Sequence, residues 1–90
     1  MVTWAFIFHS PGCKPERDRT EMMHCGNKLL VYGVETVEEG CKVAKMLRET
    51  TDCSLIELCG GFHKEGAVAM KKAAGPNISV GYVVELEEQA

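Results

Sequence analysis

Apolar residues fall in short continuous runs along the chain, and segments with the three-to-four-residue spacing of helices separate these runs. Four runs, at 2–8, 29–34, 54–58 and 78–86, are too short for helices and rich in β-branched and aromatic residues. Each of them predicts a buried β-strand. The first run stops at His9-Ser10-Pro11-Gly12, a cluster of breaking residues that predicts a loop.

A short charged helix is predicted between the first two strands. Pro15 lies where a helix accepts its first residue, and Glu16 follows in the turn where the helix dipole favours a carboxylate. This helix would cover 16–24 and end at Gly26-Asn27. An irregular loop is the alternative for this segment.

Two further helices have clearer signals. Thr36 and Glu39 have the spacing of a capping box, in which each side chain bonds an otherwise free backbone N–H. The residues that follow place apolar side chains every three or four positions, as amphipathic helices do. The last helix is predicted over 64–74, with Gly75 at its cap and Pro76 beyond it.

The element order β-α-β-α-β-α-β predicts one α/β domain over residues 1–90. Continuous apolar strands separated by helices indicate a parallel sheet with helices on both faces, joined by right-handed crossovers. For four strands we expect the flavodoxin-like, half-Rossmann order 2-1-3-4, in which the first and third strands are neighbours. Ligands of such sheets bind beyond the carboxyl ends of the strands. The loops 9–14 and 59–63 should therefore line one crevice.

Composition and net charge limit the binding partners and the cellular compartment that we expect for this protein. The 90 residues carry a net charge of −3, which disfavours a nucleic-acid scaffold, and no apolar stretch is long enough for a membrane span. We therefore expect no nucleic acid and no membrane as partners. Five cysteines without Cys-x-x-Cys spacing favour free thiols, and the start lacks a signal-peptide pattern, so a cytoplasmic protein is expected. Because so short a chain has a thin core, we also expect a homo-oligomer.

The segment Cys59-Gly60-Gly61-Phe62-His63 carries the strongest chemical signal. Two glycines between a strand and a helix let the backbone approach a ligand, and free N–H groups at a helix N-terminus favour an anion. The predicted ligand-binding residues for a small anionic metabolite are Ser10, Gly60, Gly61, Phe62 and His63. A tight turn that binds nothing explains the glycines equally well. No dinucleotide or Walker-type glycine pattern occurs, so no nucleotide cofactor is expected.

Glu57, His9 and Cys59 are the candidate catalytic residues. A carboxylate that loses solvent near the end of a covered strand suits general acid–base work, and a histidine after a strand can transfer protons near neutral pH. Period-two alternation places Glu57 and Cys59 on one strand face, and a helix N-terminus would activate the thiol. Each residue also has a structural explanation: a solvated or paired carboxylate, an exposed loop histidine and a packed thiol.

Histidines and cysteines occur close together in three places, which raises the question of a metal site. The pairs are His9-x-x-x-Cys13, His24-Cys25 and Cys59-x-x-x-His63. None has the paired spacing of a structural zinc site, and two ligands from one loop do not complete a set of four. The sequence therefore predicts no metal.

The string Glu57-Leu58-Cys59-Gly60-Gly61-Phe62, with Tyr32-Gly33-Val34 and the helix start at Glu38-Glu39-Gly40, resembles a family of small prokaryotic α/β proteins of unknown function. The resemblance covers nearly the whole chain. It implies a prokaryotic cytosolic protein with a marked loop, and it implies no reaction or cofactor. Similar sequences often carry glycine after the phenylalanine, where this chain has His63, so no shared catalytic role is assigned to His63.

Three functions remain open from the sequence. A module that binds a small anion is favoured, because it requires only the backbone and a helix dipole. A small enzyme that uses Glu57 or His9 for acid–base chemistry, with Cys59 as nucleophile, is the alternative. A structural role in a homo-oligomer, with sheet edges covered by other copies, is compatible with both.

Overall fold

The computed structural model describes residues 1–87 of the chain. Its elements are β1 (Thr3–His9), β2 (Arg19–His24), β3 (Asn27–Val34), α1 (Val37–Thr50), β4 (Leu55–Leu58), a 3₁₀ turn (Gly60–Phe62), α2 (His63–Ala74) and β5 (Ser79–Tyr82). The last strand is thus shorter than predicted, and the end of the acidic tail, residues 88–90, lies outside the described part. Among residues 1–87, no helix combines the length and the apolar character that a bilayer crossing requires.

The five strands form one mixed sheet in the order β2-β3-β1-β4-β5. Strand β1 lies parallel to both β3 and β4, and β5 is parallel to β4. The four parallel strands therefore have the predicted relative order, with the first and third predicted strands adjacent. The prediction of four strands, all parallel, is wrong, because β2 adds a fifth strand antiparallel to β3 at the sheet edge.

The segment predicted as a helix over 16–24 is instead a turn followed by β2. A two-residue turn at Cys25-Gly26, with φ of 49° and 79°, joins β2 to β3. Positive φ at both positions gives the turn type whose twist matches paired strands. A helix this short is marginal on its own, whereas the hairpin pairs every residue from Arg19 to His24 with β3. Strand pairing therefore outweighs the local helix signals.

Both helices lie on one face of the sheet, so the prediction of helices on both faces is wrong. The connections β3–α1–β4 and β4–α2–β5 each move toward the β5 edge. Right-handed crossovers that move in the same direction place their helices on the same side. In agreement, α1 and α2 pack against each other. The helix predicted over 16–24 would have covered the other face, but this segment forms strand β2 of the sheet instead.

The core lies between the sheet and the two helices. It comprises Ala5, Ile7, Leu30, Val34, Ile56 and Leu58 from the strands, and Val43, Ala44, Leu47, Ala67, Met70 and Ala74 from the helices. Phe62 of the 3₁₀ turn is only 2% exposed and packs between the helices at Gly40 and Gly66. A Cβ at Gly66 would lie 3.0 Å from the Cβ of Phe62, so these glycines make room for the ring. The core thereby anchors the loop that follows β4.

The capping box predicted for α1 is present with a shifted second bond. The Thr36 hydroxyl accepts the Glu39 N–H at 3.1 Å, as expected. The Glu39 carboxylate accepts the N–H of Glu35, at 3.0 Å, rather than that of Thr36. This bond lowers the pKa of Glu39 below its ordinary value, since an N–H donor favours the charged form.

Candidate functional site

The end of β1 and the loop after β4 lie at the same edge of the sheet and meet at His9. Because the two strands are parallel neighbours, both loops start at their carboxyl ends. A Cβ at Gly61 would lie 3.5 Å from the Cβ and 3.6 Å from Nδ1 of His9. The predicted proximity of His9 to the Gly-Gly segment is therefore confirmed.

Cys59 ends the hydrogen-bond ladder between β1 and β4. Its N–H donates to the Ile7 carbonyl at 3.2 Å, as in a parallel ladder, but its own carbonyl accepts the N–H of Phe62 at 3.3 Å. The thiol Sγ instead accepts the backbone N–H of His9 at 3.1 Å. The side chain thus replaces a carbonyl that the 3₁₀ turn has used, which is a structural role for this cysteine.

The His9 side chain is held by packing on the helix side of the sheet. Its ring meets that of Phe62 edge to face, with centroids 5.6 Å apart and planes at 67°. Gly61 lies against the same ring. Because Phe62 is a core residue, the imidazole of His9 has a fixed position at the carboxyl edge of β1.

Glu57 is the candidate catalytic residue that the structure separates from the others. It pairs with Phe6 across β1 and β4, and side chains alternate along a strand, so Glu57 and the His9 ring lie on opposite faces. A Cβ at Gly81 would lie 3.0 Å from Oε2 of Glu57, which shows that the carboxylate extends over β5. The structure therefore gives no common point of action for Glu57 and His9.

Ser10 belongs to a part of the β1–β2 loop that turns toward β3. Its N–H donates to the Val34 carbonyl at 2.9 Å. Beyond it, the N–H of Gly12 donates to the Glu35 carboxylate at 2.7 Å, before the start of α1. The loop therefore diverges from the Gly-Gly segment after His9, and Ser10 is not among the residues that line the cavity there. The prediction that loops 9–14 and 59–63 line one crevice is wrong, because hydrogen bonds to Val34 and Glu35 draw the first loop toward α1.

Charged groups hold this loop against the start of α1. Lys14 Nζ lies 3.2 Å from the Glu35 carboxylate and 3.4 Å from that of Glu39. The N–H of Gly12 and the Lys14 ammonium lower the pKa of Glu35, and hydrogen bonding to Glu35 in turn raises the pKa of Lys14. These groups are exposed, so the ion pairs position the loop more than they stabilise the fold.

A cavity of about 540 Å³ lies beside the Gly-Gly segment, between the start of α2 and the chain after β5. Its lining comprises Gly60, Gly61, His63, Lys64, Tyr82, Val83, Val84 and Glu85. Within the described part of the chain, the N–H groups of Gly60 and Gly61 have no hydrogen-bond acceptor. Of the five predicted ligand-binding residues, Gly60, Gly61 and His63 line this cavity, whereas Phe62 is buried beneath it.

His63 joins the 3₁₀ turn to α2 with an unusual backbone conformation. Its φ is 56°, and its ψ is −178°, a combination that residues other than glycine adopt at a cost of about 1–3 kcal/mol. A glycine would adopt it without that cost. The conformation turns the chain so that Lys64 begins the regular helix at the cavity.

The histidines and cysteines are dispersed. No group of three or more His, Cys, Asp or Glu side chains among residues 1–87 is arranged to hold a metal ion. Nε2 of His24 accepts the indole N–H of Trp4 at 3.0 Å, on the sheet face opposite the helices. Cys41 and Cys53 are desolvated thiols, and burial raises the pKa of each.

A second cavity, of about 580 Å³, was not foreseen from the sequence. It lies between the β2–β3 hairpin and the end of α1, and its lining includes Thr3, Lys28 and Asp52. Thr3 is 3% exposed, and its buried hydroxyl has no hydrogen-bond partner in the described structure. Only recognition of the hairpin could have revealed this cavity, because β2 and β3 form one of its walls.

Comparison with known proteins adds a family and no activity. A family model described as a family of unknown function (DUF6506) matches residues 2–90, nearly the whole chain. No curated protein and no solved structure matches the chain. The chemistry of the site therefore has to be inferred from its geometry.

Proposed function

The chain belongs to the family of unknown function DUF6506, and we propose that it binds a small anionic metabolite, a carboxylate or a phosphate, at the Gly60-Gly61 segment. The observation that carries the proposal is the pair of backbone N–H groups without a protein acceptor in the wall of the 540 Å³ cavity. Unpaired N–H groups at a strand-to-helix connection favour an anion, because they donate without needing a counter-charge.

The charges around the cavity favour an anion on the α2 side. Lys64 contributes a full positive charge, and the N-terminus of α2 contributes a partial one. Glu85 carries the opposing charge and belongs to the chain after β5, so it directs an anion toward Gly60, Gly61 and Lys64. Two charge-assisted hydrogen bonds contribute about 1.5–3 kcal/mol each. Because a dissociation constant of 1 mM corresponds to about 4 kcal/mol, we expect weak, roughly millimolar binding of inorganic phosphate.

The test is a titration of the isotopically labelled chain with inorganic phosphate, followed through its backbone amide NMR signals. We expect concentration-dependent shifts confined to the amides of residues 60–65. Lys64→Gln should weaken phosphate binding about threefold to tenfold. Lys72→Gln is the matched control, because it removes the same charge from the far end of the same helix, and it should leave binding unchanged.

Two results would contradict the proposal. One is the absence of shifts at Gly60 and Gly61 up to high phosphate concentration with sodium chloride as the ionic-strength control. The other is equal weakening by the two lysine substitutions, which would show attraction to net charge rather than a site.

Catalysis remains the second candidate, and the hydrogen bond from the His9 N–H to the Cys59 thiol favours a version of it without Glu57. His9 and Cys59 are in contact, whereas the Glu57 carboxylate extends over the opposite sheet face. Any turnover found in a substrate screen should therefore persist in Glu57→Gln. Loss of turnover in a folded Glu57→Gln protein would instead restore Glu57 as the acid or base.

A further inference from the structure

The face of the sheet away from the helices, here called the open face, is strongly apolar at its centre. Trp4, Phe6 and Phe8 of β1 lie on it, beside Leu29 and Val31 of β3 and Met22 of β2. They include three of the four phenylalanine and tryptophan residues of the chain. Only Phe62 is in the core between sheet and helices. Both helices pack on the other face, and on this one Cys13 of the β1–β2 loop lies beside Phe8, over Gly33.

A sheet that packs helices on one side ordinarily carries polar side chains on the other. Here the central strand β1 is apolar on both sides, with Ala5 and Ile7 under the helices and the aromatic residues opposite. Such a sheet requires a further layer, since an exposed patch of contiguous apolar side chains marks an interface. We propose that a second copy of this chain supplies that layer, in a face-to-face dimer of open faces.

The open face has the area of a small, weak interface. With strands about 4.8 Å apart and a rise of about 3.3 Å per residue, the strands β2, β3, β1 and β4 cover roughly 400 Å². Two such faces bury about 800 Å² as flat footprints, which is at the lower end of specific interfaces. The estimate corresponds to a weak dimer rather than an obligate one.

The open face carries both a projecting side chain and a depression. Met22 projects from β2 with 51% of its surface exposed. A depression of about 200 Å³ lies nearby, and its lining residues are Phe8, Asp18, Arg19, Thr20 and Val31. A two-fold axis lets each copy insert Met22 into the depression of the other, as a symmetric interface requires. The unbranched side chain of methionine adapts readily to such a gap.

Two acidic groups of this face lie to the side of the apolar centre. Asp18, which borders the depression, is paired with Arg17 at 2.9 Å. Glu57 belongs to β4, and its carboxylate is turned toward Gly81 of β5, away from β1 and β3. The centre can therefore lose its water without burying an unpaired charge, which would oppose association. The polar part of the face forms the rim of the interface, as in other protein interfaces.

The test measures the mass of the full chain by sedimentation equilibrium between about 1 and 200 μM. We expect a monomer–dimer equilibrium, and Met22→Glu should raise its dissociation constant at least tenfold. Met23→Glu is the matched control, because Met23 is the next residue, is 57% exposed and pairs with Lys28 on the helix side. Its substitution should leave the dissociation constant within about twofold of the original.

The single tryptophan provides a second measurement without any substitution. Trp4 lies on the open face, so its fluorescence should shift to longer wavelength as dilution separates the dimer. A chain that is monomeric at 200 μM would overturn the proposal, as would equal dissociation by the two methionine substitutions. Neither result bears on phosphate binding, because the cavity at Gly60 lies at the edge of the sheet beside α2.

Discussion

The side chains on the two faces of strand β1 differ in size and in how far they are buried. On the helix side, Ala5 and Ile7 have no exposed surface, and Thr3 has 3%. On the open face, the larger side chains of Trp4, Phe6 and Phe8 remain only partly buried. Small residues let the helices approach the sheet closely, whereas the residues that bury most area on contact are left without a covering layer. One face of β1 therefore forms the core, and the other is the face on which we propose that a second copy packs.

The largest expected effect separates the contributions of the two faces to stability. Ile7→Ala should lower the free energy of unfolding by about 2–5 kcal/mol at any protein concentration, because it leaves a cavity in the core. Phe6→Ala, on the open face, should cost about 2 kcal/mol or less in the monomer. Urea unfolding at low and high protein concentration measures both. A Phe6 variant as unstable as the Ile7 variant in dilute solution would remove the distinction between the faces.

A smaller effect of opposite sign is expected at the polar residue on the helix side. Thr3→Val replaces a buried hydroxyl without a partner by a methyl group of similar size. Removal of an unsatisfied polar group should raise the free energy of unfolding by about 1 kcal/mol. Thermal unfolding of protein dilute enough to be monomeric measures the change, and Thr20→Val at an exposed position of β2 is the control. A loss of stability would show that a water molecule satisfies the Thr3 hydroxyl in solution.

The smallest expected effect concerns the β1–β2 loop. It tests whether the loss of stability at low pH comes from the ion pairs that hold this loop rather than from either face of the sheet. The pKa of Glu35 is lowered in the fold, so its stabilising contribution is present above the ordinary carboxyl pKa of about 4.5 and is lost as the pH falls through the folded value. Stability should therefore decline below about pH 4.5. The decline should be shallower in Glu35→Gln, and Glu49→Gln, at the exposed end of α1, is the control. Identical pH profiles for these two variants would contradict the assignment.

Local patterns predicted the parts of the fold whose signals are themselves local. The four parallel strands and their relative order, the cap of α1 at Thr36 and the end of α2 at Gly75 agree with the structure. The contact of His9 with the Gly-Gly segment followed, because neighbouring parallel strands end at one edge. Strand β2 was missed because its residues do not alternate between apolar and polar, which is the pattern that indicates a strand. In addition, its turn lacks the asparagine or aspartate that usually precedes glycine in such turns.

That single error had consequences for the candidate site. Without the hairpin, the connection from β1 to β3 was assigned a helix, and helices were expected on both faces. Glu57 was accordingly expected under a helix, where desolvation would make it reactive, but it lies on the open face. The second cavity, beside Thr3, was hidden for the same reason.

Residue spacing alone determined the four parallel strands and the caps of α1 and α2, since hydrophobic periodicity and capping are signals between residues close in sequence. Which side of the sheet received both helices was decided only by the tertiary structure. That choice depends on the pairing of residues 19–24 with 27–32. The pairing is made by backbone hydrogen bonds, which every residue except proline can form, so the amino-acid sequence gives little indication of it. The aromatic residues of β1 are visible in the sequence, but their exposure is not.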